Sequence, residues 1–333
     1  MPRRLRRVSP ESPGWRRRRH GRGFVYLDES GRRLGAADVV RCKALVIPPA
    51  WRDVWICPLP NGHLQAVGTD DAGRRQYLYH PEWREQRDRA KHDRVLDVGM
   101  RLPQARARVT KLLALEGMPR ERALAVAFRL LDLGLFRVGG EVYAEDNGSY
   151  GLATIEKRHV RVRGTSIVFS YRAKSGQQQE VTVSDAAASA AVGLLRRRRG
   201  GGEQLLAFRE GRRWRDVTSR DINDFVKEIV GGDVSAKDFR TWHGTVIAAV
   251  SLASSGPSAG SRAERRRALR QAAEEVADQL GNTPTVARTS YMDPRVVDKF
   301  EAGETITSAV SSQSPRKRRR AESEVVRLLE TGD

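Results

Sequence analysis

The sequence predicts an α+β chain, with a small β-rich N-terminal domain followed by a larger, mainly helical domain that contains a three-stranded antiparallel sheet. Three observations lead there. Short β-prone runs broken by turn signals fill residues 23–79. Helical periodicity takes over beyond a boundary placed near residue 91. Within that helical part, residues 159–183 alternate in the way strands do. At 333 residues the chain can hold two domains, since about 100 to 200 residues suffice for each.

In chain order, residues 1–22 carry two arginine clusters, "RRLRR" and "WRRRRHGR", separated by prolines and a glycine, a composition that predicts a disordered basic arm. The β-rich domain, 23–91, follows with "FVYLDESGRRLG", "ALVIPPAWRDVWICPLPNGHLQAVG" and "DDAGRRQYLYH", in which Gly, Pro, Asn and Asp supply the turns. The charged stretch "PEWREQRDRAKHDRVLDVG" reads as a helical connector. In the helical domain, 92–310, Leu124, Ala127, Phe128, Leu131 and Leu135 form the apolar stripe of a helix ending near Gly134, and Arg137 comes just beyond it. "HVRVRGTSIVFSYRAKSGQQQEVTV" reads as three antiparallel strands, with "AKSGQ" turning between the second and third. Helices return from about Asp185, where "TSRDINDFVKEIVGG" has a Ser/Thr start and a glycine stop. Residues 311–333, with "RKRRR" among Ser, Pro and Glu, read as a solvated basic and polar tail.

Composition bounds the partner. Lys and Arg number 61 against 41 Asp and Glu, a net charge of +20, and the pI is near 10.8. A surplus of that size implies a polyanion. Nucleic acid comes before membrane, because no apolar run approaches the roughly 20 residues of a spanning helix. "MPRRLRRVSP" has a basic start but no apolar stretch behind it, so no secretory signal is expected and the predicted location is cytoplasmic, on the nucleoid. "RKRRR" offers a nuclear address as the alternative. Cys42 and Cys57, without ligand-spaced partners, predict reduced thiols and no structural zinc.

Two segments carry candidate chemistry. "SAKDFRTWHGTVIAAVSLAS" puts Phe239, Trp242, Val246, Val250 and Ala253 on one helical stripe, and Lys237, Arg240 and Gly244 on a different face. A glycine inside a helix costs about 1 kcal/mol against alanine, which suggests close approach of something such as a sugar-phosphate backbone. The plain alternative is a solvated basic face with a packing glycine. The next helix, striped by Leu269, Ala272, Ala273, Val276 and Leu280, stops at Gly281 and is followed by Asn282. Nine residues on stands Tyr291, among small, basic and turn-forming residues. It is either a packed ring with a satisfied hydroxyl or a nucleophile, and a phenol of pKa about 10 attacks nothing unaided at neutral pH.

From "GRRQYLYH" to Tyr291 the sequence resembles the small type IB DNA topoisomerases of the poxviral and bacterial kind. Four segments in family order carry the resemblance: "FRVGGEVYAEDNGSYGLATI", the hairpin "SYRAKSG", "KDFRTWHGT" and "LGNTPTVARTSYMDPRV". It implies a clamp around double-stranded DNA, a monomer, and a catalytic set in which Arg137, Lys174 and Arg240 match family positions and Tyr291 matches the nucleophile. Asn282 stands where the poxviral branch has histidine. An amide can donate a hydrogen bond but cannot titrate, so only a proton-dependent role is lost. The family's "RQY" element contacts DNA in the groove, which implies Arg75, Gln76 and Tyr77 here, with Tyr79 close by. Gly139 and Gly140 occupy the place where the poxviral branch often has a lysine, so target preference does not carry over.

Attack of a phenolic oxygen on a phosphodiester builds negative charge on two non-bridging oxygens. Arg137 and Arg240 suit that charge, since guanidinium stays protonated and its planar fork matches phosphate. Asn282 adds an amide donor. The 5′-alkoxide leaving group needs a proton, for which Lys174 is the candidate acid, with Lys237, one turn before Arg240, as an auxiliary donor or phosphate contact. Such a mechanism needs neither Mg²⁺ nor a nucleotide, because the covalent bond to the enzyme conserves the phosphodiester energy. The closest rival is a tyrosine recombinase, which usually has histidine three residues before the second arginine, where this chain has Lys237, and a helical N-terminal part. A non-catalytic basic DNA-binding protein would explain the charge but leaves the four ordered segments without a reason.

Overall fold

The computed structural model describes residues 4–140, 148–173, 176–256, 261–307 and 315–330, and the chain divides into two units, Met1–Lys91 and His92–Asp333. The fold class is the one the sequence predicts.

The first unit is a five-stranded antiparallel sheet built from β1 (Trp15–His20), β2 (Gly23–Leu27), β3 (Arg52–Ile56), β4 (Leu64–Thr69) and β5 (Arg75–Tyr79), in the order β2-β1-β3-β4-β5. One helix, α1 (Ala36–Ala44), interrupts a region that reads as wholly β in sequence. Its Cys42 joins Tyr26, Ile47, Val54, Ile56 and Ala66 in a small core. Both cysteines are free and buried, and burial pushes the Cys42 thiol up to about 11.

The expectation of a disordered arm over 1–22 is corrected here, because "WRRRRH" is β1 and pairs on both sides, with β2 and β3. Arg17 explains how a run of arginines enters a sheet. Its side chain is buried and donates to the carbonyls of Ile47, Pro48 and Trp51, each at 2.8 Å, while its guanidinium lies 4.2 Å from the Phe24 ring centre. A buried cation bonded to three carbonyls in this way ties the 47–51 loop to β1 and offsets part of the cost of its burial.

The helix α2 (Pro81–Leu113) contains the whole expected connector and extends well beyond it. In the second unit, α3 (Arg120–Gly134) buries the expected stripe and ends as Leu135 turns left-handed (φ 55°). Strands β6 (Val160–Arg163), β7 (Ser166–Arg172) and β8 (Gln178–Ser184) form the expected antiparallel sheet in sequence order. Asp185 caps α4 (Ala186–Arg197) by accepting from Ala188 N at 2.8 Å. A hairpin that sequence patterning missed, β9 (Ala207–Glu210) with β10 (Arg213–Asp216), precedes α5 (Ser219–Val230). Thr218 and Asp221 cap α5 reciprocally and Gly231 (φ 84°) stops it, as the Ser/Thr start and glycine stop predict. Then come α6 (Ala236–Ser254), α7 (Arg262–Leu280), α8 (Pro284–Ser290), α9 (Pro294–Glu301) and α10 (Pro315–Glu330).

The tail is the second correction, since α10 packs into the core through Ala321, Val325 and Leu329. Two of its polar side chains complete a buried ionic cluster. Arg106 grips Asp132 with two 2.8 Å bonds and Glu322 with bonds of 2.5 and 2.8 Å, while Arg318 reaches Asp132 at 3.3 Å and Glu322 at 3.2 Å. His243 of α6 sits 3.4 Å from Asp132 in the same cluster. Among the described residues no helix is long and apolar enough to cross a membrane.

Candidate active site

Three segments far apart in sequence line a cleft of about 270 Å³, through Arg137, Gln177, and Gly281, Asn282, Thr283, Val286 and Tyr291, and Arg240 stands behind them. Arg137, Asn282 and Tyr291 each stand just beyond the end of a helix, whereas Arg240 lies inside one. Arg137 leaves α3 two residues after its left-handed exit. The strand-like run beyond it is fixed by Leu152 N to Arg137 O and Ala153 N to Val138 O, both 2.8 Å. That pairing brings Gly139 (φ 80°) against Gly151 so closely that a Cβ on residue 139 would lie 2.8 Å from the Gly151 Cα. Position 139 therefore has no room for a side chain. Gly140 has open space around it.

Arg240 lies in α6 and is 4 % exposed. Its guanidinium donates to the carbonyl of Leu280 at 2.6 Å and to that of Leu135, the C-terminal ends of α7 and α3. Both are the negative ends of helix dipoles, where a cation is favoured. Arg137 does the same work one residue further on, donating through Nη2 to Gly281 O at 2.9 Å and to Asn282 Oδ1 at 2.7 Å. The contact fixes the amide, because arginine can only donate and so must face the oxygen. Asn282 Nδ2 is then left buried with no hydrogen-bond partner among the described residues, and the same is true of Arg240 Nε. Two donors without a protein acceptor in one cleft leave room for an acceptor from a water or a bound group.

Tyr291 closes the group. It caps the end of α8 and is half-buried, with the Arg240 guanidinium carbon 5.3 Å from its ring centre. Burial pushes the phenol's pKa up, but the charge of Arg240, with help from Arg137 and Lys237, outweighs it and leaves the phenol more acidic than an ordinary tyrosine. The comparison with Tyr171, also beside both arginines, is instructive. Burial against Phe136, whose ring it stacks on at 6.1 Å, pushes Tyr171 up to about 12.

The structure thus brings Arg137, Arg240, Asn282 and Tyr291 together. Lys237 is exposed at the start of α6. Lys174 lies outside the described residues; its hairpin is tied by Ala173 N to Gln177 O at 2.8 Å, and Gln177 lines the cleft. Gly244 is corrected: it does not face a polyanion but is buried, and a Cβ there would lie 2.7 Å from the Tyr291 carbonyl oxygen. The solvated cationic face expected of α6 is likewise limited to its first turn, since Arg240 is buried with Phe239 and Trp242. Patterning missed Gln177, which enters the cleft from the hairpin, and Thr245, whose partners Tyr291 and Asp293 are remote in sequence.

In the first unit, Arg75, Tyr77 and Tyr79 point to one exposed face of β5, where the two tyrosine rings stack at 6.2 Å. Register carries Arg16 and Arg18 of β1 to that same face, through Arg16 opposite Trp55, Trp55 opposite Val67, and Val67 opposite Tyr77. Gln76 departs from the expected grouping, because alternation turns it to the other face and its amide is held by Asp70 at 2.8 Å. Among the described residues no group of three His, Cys, Asp or Glu side chains could hold a metal ion.

Comparison with known proteins covers both units. Residues 80–314 match the family described as eukaryotic DNA topoisomerase I, catalytic core, and residues 23–70 match bacterial DNA topoisomerase IB, N-terminal domain. The chain is 27% identical to DNA topoisomerase 1B of Acanthamoeba polyphaga mimivirus over 83% of this chain and 84% of that one. It is 21% identical to the DNA topoisomerase 1B of vaccinia virus and to the DNA topoisomerase I of monkeypox virus, over 70% of this chain and 71% of each. Because the catalytic-core match runs through all the segments that build the cleft, the chain belongs to the type IB DNA topoisomerases.

Proposed function

We propose that this topoisomerase nicks one strand of duplex DNA with Tyr291, holds the 3′-phosphate as a phosphotyrosine while the strand swivels, and reseals it, without metal or nucleotide. The observation that carries the reading is the half-buried Tyr291 phenol, made more acidic by the Arg240 guanidinium 5.3 Å from its ring, beside two orphan donors.

A phosphate entering the cleft gives those donors their acceptors. Arg240 and Arg137 neutralise the non-bridging oxygens, and Asn282, held by Arg137, adds one N–H. Preorganised donors of this kind are typically worth about 3 to 4 kcal/mol each, so three supply much of the acceleration from side chains alone. Since both guanidiniums already rest on helix-end carbonyls, little reorganisation is needed when charge develops. Tyr291 attacks phosphorus, the bond to the 5′-oxygen breaks, and Lys174 gives that oxygen its proton. The reverse step returns the same proton and needs no energy source. Swivelling between the steps releases torsion. The basic surplus and the face bearing Arg16, Arg18, Arg75, Tyr77 and Tyr79 hold the duplex through phosphates, so binding weakens steeply with salt. One monomer suffices for this chemistry, and its place is on cytoplasmic chromosomal DNA.

Incubation with supercoiled plasmid in EDTA, without nucleotide, is expected to give a ladder of relaxed topoisomers. A strict requirement for magnesium would overturn the mechanism, and crossover products confined to paired sites would favour a recombinase.

A further inference from the structure

One turn after Arg240, α6 presents Gly244 and Thr245, and both are fitted to the backbone of Tyr291. A Cβ on residue 244 would lie 2.7 Å from the Tyr291 carbonyl oxygen and 3.0 Å from its Cβ, so any side chain there forces the tyrosine away. Thr245, 1 % exposed, donates through Oγ1 to Tyr291 O at 3.3 Å and accepts from Asp293 N at 3.2 Å. It therefore pins the chain on both sides of Met292. The need for such a pin is local. The seven-residue α8, which delivers Tyr291, buries one residue, Ala287, and so short a helix has little stability of its own.

We propose that Gly244 and Thr245 form a seat that sets the nucleophile's position relative to Arg240, acting as positioning residues for strand cleavage. Seat and cation share one helix, so the place of the Tyr291 backbone and Cβ relative to Arg240 is set by the spacing along α6 as well as by α8. The inference rests on the reading of Tyr291 as nucleophile. An alanine at 244 falls about 0.7 Å short of the 3.4 Å at which ordinary contact begins, and a misplacement approaching 1 Å can cost about 10²-fold in rate.

The test uses the full chain carrying Thr245→Val, Thr245→Ser or Gly244→Ala. Formation of the covalent DNA adduct is followed in a single turnover across pH, together with non-covalent affinity for the duplex. Thr245→Val keeps the shape and loses the hydroxyl; its cleavage is expected to slow by about 10-fold and that of Gly244→Ala by about 100-fold, with affinity within about 2-fold of the unaltered chain. Thr245→Ser is expected to restore the rate. The rise of the rate with pH is expected to shift upward in both slow variants, because a phenol moved from Arg240 loses the charge that offsets its burial and becomes less acidic; mere loss of folded protein lowers the amplitude and leaves the profile in place. A Thr245→Val enzyme as fast as the unaltered one, a Thr245→Ser enzyme as slow as Thr245→Val, or slow variants with an unmoved profile would each overturn the seat. Should Gly244→Ala not fold, the Thr245 pair decides alone. No adduct from the unaltered chain would overturn the nucleophile reading instead.

Discussion

Replacing Asn282 by aspartate keeps the shape of the side chain but exchanges its N–H donors for a negatively charged acceptor. The two side chains have the same shape, and the oxygen that accepts from Arg137 Nη2 at 2.7 Å is present in both. The change falls on the other terminal atom, the buried Nδ2 that has no partner among the described residues. A donor aimed at the developing charge becomes a carboxylate oxygen. Loss of the donor alone is worth about 3 kcal/mol, or about 10²-fold in rate. A like charge about 4 Å from a phosphate oxygen adds up to about 4 kcal/mol at an effective dielectric of 20, and pairing with Arg137 offsets part of it. Asn282→Asp is therefore expected to cleave at least about 10³-fold more slowly than the unaltered chain while folding as well. Asn282→His, which can accept from Arg137 and donate through its other nitrogen, is expected to stay within about 10-fold. The assay is single-turnover cleavage of a duplex oligonucleotide, with thermal unfolding as the control for folding. An Asn282→Asp enzyme within 10-fold of the unaltered rate would refute the donor role and return Asn282 to the helix end as a turn residue.

Two further outcomes follow from the same side chains. If Lys174 protonates the departing 5′-oxygen, Lys174→Ala should cleave an ordinary strand slowly and a strand with bridging sulfur nearly normally, since a thiolate leaves without a proton; equal slowing on both would pass the role to Lys237. In the buried cluster, burial and then the charge of Arg318 hold His243 down to about 4, so it is neutral in the folded protein. The unfolded chain takes up that proton below about pH 6.5 and the folded one only below about 4, so stability should fall as pH drops through this window, by up to about 3 kcal/mol. His243→Gln should flatten that slope in denaturant titrations, and an unchanged slope would remove His243 from the account.

The sequence made legible whatever depends on short spacing. The Thr218 cap with its Gly231 stop, the α3 stripe and the hairpin across 160–184 are all set within a few turns of chain, and the structure has them. The catalytic segments could be read only through their resemblance to a family, four motifs in family order, since Tyr291, Asn282 and the face of Arg240 each have a plain reading when taken singly. What was hidden is long-range compensation. A tetrad of arginines looks like a solvated arm until Arg17 meets three carbonyls some 30 residues away. "RKRRR" looks like a tail until Arg318 meets Asp132 across 186 positions. Gly244 was noticed as a place of close approach, but the approaching chain is Tyr291, 46 to 48 positions from the Thr245 that fastens it.

The central claim is that Tyr291 attacks DNA and no other tyrosine does. Denaturing the enzyme during turnover, digesting the trapped adduct and identifying the modified peptide by mass spectrometry tests it directly. The account expects a nucleotide joined through its 3′-phosphate to Tyr291, with no adduct from Tyr291→Phe at unchanged DNA affinity. A nucleotide on Tyr171, a 5′-phosphate linkage, or an adduct surviving in Tyr291→Phe would contradict it.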